Sequence, residues 1–317
     1  MDFDQIRAFV NVAALRSFSE AGEKMFISQP SVSVRVKALE EELGVILFDR
    51  SKAREPSLTE AGRIFLDYAQ SMLKLNDECR EKLSGKRESS TGLIYAGAST
   101  VPGIYLMPLL LAGFRKKCPD IEFNLNILDT AVVLEGILNY SFDLGLVGLL
   151  KQDDRLKYLA LVEDELVFCT AGGLLAPDQY QDGVPLELLF EHHLILREKG
   201  SATRQLLEKK LAEEGFTMDQ FKGITYINSL EGIKQAVKAG LGAAVVSRLS
   251  VSDMVSLGDL DQYTIKNVDL KRSLYLVYHY RRVLTGAAEA FIDFAVAFSD
   301  AKKVPALPAF NIDNFIL

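Results

Sequence analysis

The sequence predicts a chain that is α/β overall but built from two unlike parts, a small all-α module at the N-terminus and a larger body of alternating strands and helices. Three observations carry this. Within the first sixty or so residues, apolar stripes recur at helical spacing and begin at Ser or Asp caps. Between residues 63 and 84 neither Pro nor Gly interrupts the chain, so one long helix is expected. From residue 93 onward, apolar runs of strand length alternate with helical patterns. The chain has 317 residues, of which 49% are hydrophobic and 25% charged, enough for two or three domains with real cores.

Asp4 is placed to cap a first helix whose Ile6, Phe9, Val10 and Ala13 form one buried stripe. That helix ends near Arg16. Ser17 with Glu20 matches a capping box for a short second helix, with Ser19 as an alternative cap. Phe26 and Ile27 supply a turn, and Ser28 caps a third helix with Pro30 in its first turn, where a missing N–H costs nothing. In this third helix Val32, Val36, Leu39 and Leu43 share one arc and are expected to face the first two helices. The opposite arc holds Pro30, Ser33, Val34 and Lys37, with Ser31 and Arg35 on its border. This small, basic surface suits a major groove, which recognition helices enter by their first residues. Beyond Gly44, residues 45–48 and 57–59 read as two short strands around a basic tip carrying Arg50, Lys52 and Arg54. Helix, turn, helix and basic hairpin together make a winged helix-turn-helix.

The net charge of −7 runs against phosphate binding, and neither the first 91 residues nor the remainder is basic overall. The basic groups are local: Arg35 and Lys37 lie in an acid-free run over residues 24–39, and residues 50–54 hold three cations and no acid. No apolar run approaches bilayer length and the N-terminus is acidic, so no membrane segment or signal peptide is expected and the protein is read as cytoplasmic. Cys79, Cys118 and Cys169 are far apart, which argues against a disulfide framework or a zinc site. The histidines have no metal-ligand spacing, and no nucleophile or nucleotide-binding motif occurs. Neither a catalytic residue, a metal nor a cofactor is expected.

Several strings carry a family resemblance. Phe18, Ser19 and Ala21 are followed by Ser28-Gln29-Pro30-Ser31-Val32-Ser33, residues 37–44 (KALEEELG), Leu47-Phe48-Asp49-Arg50 and Leu58-Thr59-Glu60-Ala61-Gly62. Together they resemble the LysR-type transcriptional regulators over nearly all of the first 62 residues. Gly22 stands where the family usually has Ala, and Val34 where Arg or Gln is common. The Gly suggests close helix packing; Val34 removes a polar base reader and suggests contact with a thymine methyl. The resemblance implies DNA reading by Ser28, Gln29, Pro30, Ser31, Ser33, Val34, Arg35 and Lys37, with Arg50, Lys52 and Arg54 on the wing.

In the long helix, Phe65, Tyr68, Met72, Leu75 and Cys79 alternate spacings of three and four, a seam that wants a partner. It packs either on its own domain or, as the resemblance implies, on a second subunit. Pairing would present two reading helices to an interrupted inverted repeat. The expected division is 1–58 DNA-binding, 59–91 linker helix and hinge, 92–300 effector-binding and 301–317 a tail. The effector part is expected as lobe 1 (about 92–160 and 266–300) and lobe 2 (about 161–265). Within it, the strings 97–100, 143–147, 194–204 and 239–242 resemble the family's effector domain, which has the fold of periplasmic solute-binding proteins.

Hydroxyl residues begin several helices of this body: Ser99 with Thr100, Thr130, Ser201 with Thr203, and Ser229. Helix N-termini with Ser or Thr bind anions, so these residues, with Arg197 and Arg204 as possible counter-charges, are candidate contacts for a small anionic effector between two lobes. Each hydroxyl could instead be only a cap, and the arginines could pair with Glu198 or Glu208. The reading that results is a dimeric or tetrameric regulator that binds double-stranded DNA and a small molecule and communicates with RNA polymerase. The alternatives are an enzyme on the solute-binding fold, or a regulator whose C-terminal part serves only oligomerisation.

Overall fold

The computed structural model describes residues 1–49, 56–83 and 91–301. Described residues up to Leu83 belong to one compact unit, and those from Thr91 onward, Asn139–Ser141 apart, to a second.

The first unit opens with α1 (Phe3–Leu15). Its cap is Asp2 rather than the expected Asp4: Asp2 accepts from the Gln5 N–H while Gln5 reaches back to the Asp2 N–H, closing a capping box. Arg16, left-handed at φ 50°, ends it. Ser17 caps α2 (Phe18–Lys24), accepting from the Glu20 N–H, and Ser28 caps α3 (Gln29–Leu43), accepting from the Ser31 N–H. Gly44 at φ 68° stops α3. Val32, Val36 and Leu39 are fully buried against Ile6, Phe9, Val12 and Ala21. Leu43, expected on the same face, is 36% exposed, because α3 outruns the helices that cover it. Gly22 is required by the turn: a Cβ there would lie 2.8 Å from the Ile27 carbonyl oxygen.

The hairpin strands are shorter than expected. β1 (Phe48–Asp49) and β2 (Ser57–Leu58) pair antiparallel, and Phe48 closes the core with its ring 5.3 Å from that of Phe9. Glu40, first of an acidic run, accepts from the Leu47 and Phe48 N–H groups at 2.8 and 3.1 Å and so fixes the entry to β1. Thr59 caps α4 (Glu60–Leu83), accepting from the Gly62 N–H and donating to the Ile46 carbonyl. The expected seam on α4 divides. Phe65 and Met72 pack on the core of their own unit beside the buried Ala69, while Tyr68, Leu75 and Cys79 are exposed together with Ile64 and Leu83.

The second unit is a mixed α/β body. Three parallel strands, β3 (Thr91–Ala98), β4 (Asp120–Ile127) and β5 (Leu144–Val147), are ordered β4-β3-β5. They alternate with α5 (Met107–Lys117) and α6 (Thr130–Leu138), the usual covering of a parallel sheet. The helical run into α5 begins at Thr100 and includes a π-helical turn over Pro102–Leu106, which the sequence did not announce. β6 (Leu156–Ala171) is a sixteen-residue strand serving two lobes. Residues up to Glu165 pair with the returning β11, and from Leu166 onward β6 pairs with strands of the second lobe.

That lobe contains the short α7 (Leu186–Phe190), β7 (Leu194–Leu196), α8 (Ala202–Glu213), β8 (Ile224–Tyr226), α9 (Leu230–Lys238) and β9 (Ala243–Ser247). Then come α10 (Arg248–Ser256) and β10 (Leu260–Tyr263). β7 is parallel to β8 and β9, and both β9 and β10 run antiparallel to β6. α7, α10 and β10 escaped the periodicity reading, being only four to nine residues long. The chain returns through β11 (Lys271–His279), antiparallel to β5 and β6, and closes with α11 (Gly286–Ala301). Phe114, Phe123 and Phe291 meet edge to face beneath β3 and β4, while Phe168, Leu189, Leu194, Leu207 and Val245 fill the second lobe. Among the described residues, no helix is long and apolar enough to cross a membrane, and no group of His, Cys, Asp or Glu is placed to hold a metal ion.

Candidate functional site

Two surfaces gather the residues singled out from the sequence, one in each unit. On α3, Ser28, Gln29, Pro30, Ser31, Val34 and Lys37 are exposed and Ser33 and Arg35 half-buried. Ser28 Oγ caps the helix and also meets Ser31 Oγ at 2.8 Å. Gln29 Nε2 donates to Ser33 Oγ at 3.0 Å. Arg35 lies 3.3 Å from Asp4, and Lys37 lies 3.5 Å from Glu41. Exposed pairs of this kind contribute little, so phosphate can displace either carboxylate. Arg50, Lys52 and Arg54 lie outside the described residues, between β1 and β2.

In the second unit, the C-terminal ends of β3, β4, β5 and β7 open onto a small cleft, the place where open α/β sheets bind ligands. Its lining includes Ser99 and Thr100 after β3, Asp129 and Thr130 after β4, Gly148 after β5, and Arg197, Ser201 and Thr203 after β7. Six of the seven expected effector contacts are thereby brought together. The seventh, Ser229, is not in the lining; its hydroxyl is exposed and caps α9 by accepting from the Gly232 N–H at 3.2 Å. A capping hydroxyl and a ligand-binding hydroxyl look alike in sequence, and only the position of the helix end separates them.

The hydroxyl set faces the cleft without protein partners. Ser99, Thr130 and Ser201 are only 6–7% exposed, and among the described residues none of their side-chain oxygens has a hydrogen-bond partner. Ser201 occupies the cap position of α8 without capping it. Three hydroxyls without protein partners around one cleft are open to water or to a ligand.

Arg197 is gripped by Glu198 at 2.7 and 2.9 Å and donates to Thr100 Oγ1 at 3.4 Å. Burial raises the Glu198 carboxyl, but the Arg197 guanidinium outweighs it and holds the group below the usual carboxylate range. Arg204 does not line the cleft; it pairs with Glu208, donates to the Arg197 carbonyl and stacks on Tyr226.

The cleft also contains an arginine that the sequence reading missed. Arg272, on β11, donates from Nη1 to Thr203 Oγ1 at 3.2 Å and pairs with Asp164 at 2.9 Å. Asp164 is fully buried and accepts from Ser247 Oγ at 2.7 Å as well. Arg272 lies far along the chain from the cleft residues it joins, and only the antiparallel return of β11 along β6 brings it there. Each arginine retains N–H groups not engaged by its carboxylate. The arrangement can therefore receive an oxyanion on arginine, hydroxyl and helix N-terminal donors.

A three-helix reading module with a hairpin, followed by a two-lobed α/β body with a polar cleft, defines a DNA-binding regulator with a small-molecule domain. Residues 3–63 match the family described as "Bacterial regulatory helix-turn-helix protein, lysR family", and residues 87–299 match the "LysR substrate binding domain". The chain belongs to the LysR family of transcriptional regulators. It is 32% identical over 291 residues to a probable RuBisCO transcriptional regulator of Trichormus variabilis, covering 91% of this chain and 86% of that protein. Among solved structures it resembles a full-length OxyR variant from Pseudomonas aeruginosa, with a TM-score of 0.70 and 22% identity over 94% of each chain. It also resembles full-length CbnR complexed with its target DNA, with a TM-score of 0.69 and 18% identity over 94% of this chain and all of that one.

Proposed function

We infer that this LysR-type regulator binds an interrupted inverted repeat in promoter DNA as a dimer or dimer of dimers, and that a small anionic metabolite in the cleft sets its activity. α3 and residues 50–54 supply the DNA contacts, and changes in DNA bending or in contact with RNA polymerase carry the output in the cytoplasm. The observation that carries the effector reading is the gathering of Ser99, Thr130 and Ser201, whose hydroxyls have no protein partner among the described residues, beside Arg197 and Arg272 in one lining. Their donors favour a carboxylate or phosphate, and Asp129 in the lining favours a ligand that also carries a hydroxyl or amine.

The test is a thermal melt of the full chain against a panel of small hydroxy acids, amino acids and sugar phosphates. A ligand present at about a hundred times its Kd stabilises the folded state by about 2.7 kcal/mol, a shift of several degrees. The shift is expected to vanish in Ser201→Ala/Thr130→Val while the unliganded melt changes little. A panel that produces no shift, or a shift that survives the double substitution, overturns the assignment of the cleft. Footprinting on promoter fragments tests the repeat: one protected half-site rather than two overturns the paired geometry.

A further inference from the structure

The charged side chains of the cleft lining are Asp129, Arg197 and Arg272, and the two arginines bring it no net charge. Glu198 takes Nε and Nη2 of Arg197, and Asp164 takes Nε and Nη2 of Arg272, so each guanidinium is answered by a carboxylate before any ligand arrives. Each also donates to a threonine hydroxyl, Arg197 to Thr100 and Arg272 to Thr203. What the arginines offer a ligand is hydrogen-bond donors rather than surplus positive charge. Positive potential comes instead from helix ends. Helical runs begin in the lining at Thr100, Thr130 and Ala202, each equivalent to roughly half a unit charge at its N-terminus. Against them stands Asp129. Its carboxylate is exposed and has no hydrogen-bond or ion-pair partner among the described residues. Its Oδ2 reaches to 3.8 Å from where a Cβ on Gly200 would stand, so it extends from the β4 side of the cleft toward the start of α8. Lys199, next to Gly200, is exposed and outside the lining. The helix ends less Asp129 leave a lining matched to one oxyanion and not to two.

Resting on the reading of the cleft as an effector site, we propose that its ligand carries a single carboxylate together with a hydroxyl or ammonium group that donates to Asp129. Asp129 is the specificity-determining residue: it accepts that hydrogen bond and repels a second anionic group. The carboxylate is received by the hydroxyls of Ser99, Thr130 and Ser201 and by the helix N–H groups behind them. Dicarboxylates, and phosphate monoesters with about −1.5 to −2 charges at pH 7, bring a charge that no group in the lining balances.

The experiment is calorimetric titration of the full chain with pairs of nearly equal shape that differ by one charge: asparagine and aspartate, glutamine and glutamate, malic acid monoamide and malate. Glycerol 3-phosphate and phosphoglycolate serve as the phosphate probes, and lactate with propionate tests the donor group. The amide member of at least one pair is expected to bind about tenfold or more tightly than its charged twin. Lactate is expected to bind about tenfold more tightly than propionate, which leaves Asp129 without a donor. Asp129→Asn, which suits a helix start as well as Asp does, is expected to close most of the gap between amide and acid. An acid that binds as tightly as its amide, a gap that Asp129→Asn leaves intact, or a response to the phosphate probes alone overturns the proposal and leaves the effector reading standing. A chain that binds no member of the set, and shows no melting shift with the wider panel, overturns the effector reading and this proposal with it.

Discussion

At Gly22 two local rules give opposite signs. Helix propensity favours alanine over glycine by about 1 kcal/mol. The turn into α3 presses the Ile27 carbonyl oxygen to 2.8 Å and the Gln29 nitrogen to 3.2 Å of where a Cβ would stand, and both are backbone atoms. Overpacking against backbone costs about 1–3 kcal/mol, so Gly22→Ala is expected to destabilise the protein, measured as a lower urea midpoint for the N-terminal transition. An unchanged or higher midpoint would show that propensity wins. A second residue, His279, is buried at the end of β11. Burial lowers its pKa, and Arg155, Arg282 and Arg281 lower it further. The folded state therefore holds the ring neutral where the unfolded chain takes a proton, so stability is complete above about pH 6.5 and declines as pH falls below it. Chemical denaturation between about pH 7 and 5 is expected to show that decline, and His279→Asn should flatten it.

Among the elements, the π-helical turn at Pro102–Leu106 ties the cleft to the second lobe. It follows closely on Ser99 and Thr100, and its Tyr105 hydroxyl donates to the Ser250 carbonyl of α10 while accepting from Lys234 of α9, each at 3.3 Å. Burial would lower the Lys234 pKa, but Glu231 and Tyr105 together raise it, so the ammonium stays charged between them. π-turns occur often at functional sites, and this one places an interlobe strut beside the candidate ligand cleft. Tyr105→Phe keeps the ring and its contact with Lys234 but removes both hydroxyl bonds, a loss of about 1–3 kcal/mol. Faster amide hydrogen exchange in α9 and α10 is the expected readout, and unchanged protection would show that the strut contributes nothing. The sequence showed the helix but not its π-turn, because five apolar and small residues fit either hydrogen-bonding pattern.

For the molecule as a whole, an acidic chain must obtain DNA affinity from somewhere other than its total charge. Placing two reading modules on one duplex multiplies weak half-site binding through effective concentration. The exposed stripe of Ile64, Tyr68, Leu75 and Cys79 on α4 is an apolar surface of the first unit suited to such pairing. Tyr68→Glu/Leu75→Glu is expected to shift the protein to monomers in sedimentation velocity and to weaken binding to a two-half-site duplex by about tenfold or more, leaving single half-site binding nearly unchanged. A double variant that stays dimeric would place the interface elsewhere.

The order of the parts was legible in the chain because local rules act locally. Ser17, Ser28 and Thr59 cap their helices where the spacing said they would, and the alternation of strand and helix after residue 93 already specified an α/β body. Most of the cleft's hydroxyls were legible too, since a Ser or Thr before a helical run announces a helix N-terminus. Which N-termini converge was not: Ser229 caps a helix outside the lining, while Arg272, on a strand with no local signal, enters it. Nor did spacing separate the two halves of the α4 seam, for Phe65 and Tyr68 obey the same periodicity and only packing buries one of them. Those outcomes belong to tertiary structure because they depend on pairings between residues far apart in the chain, such as β11 along β6, and periodicity over a few residues carries no record of them.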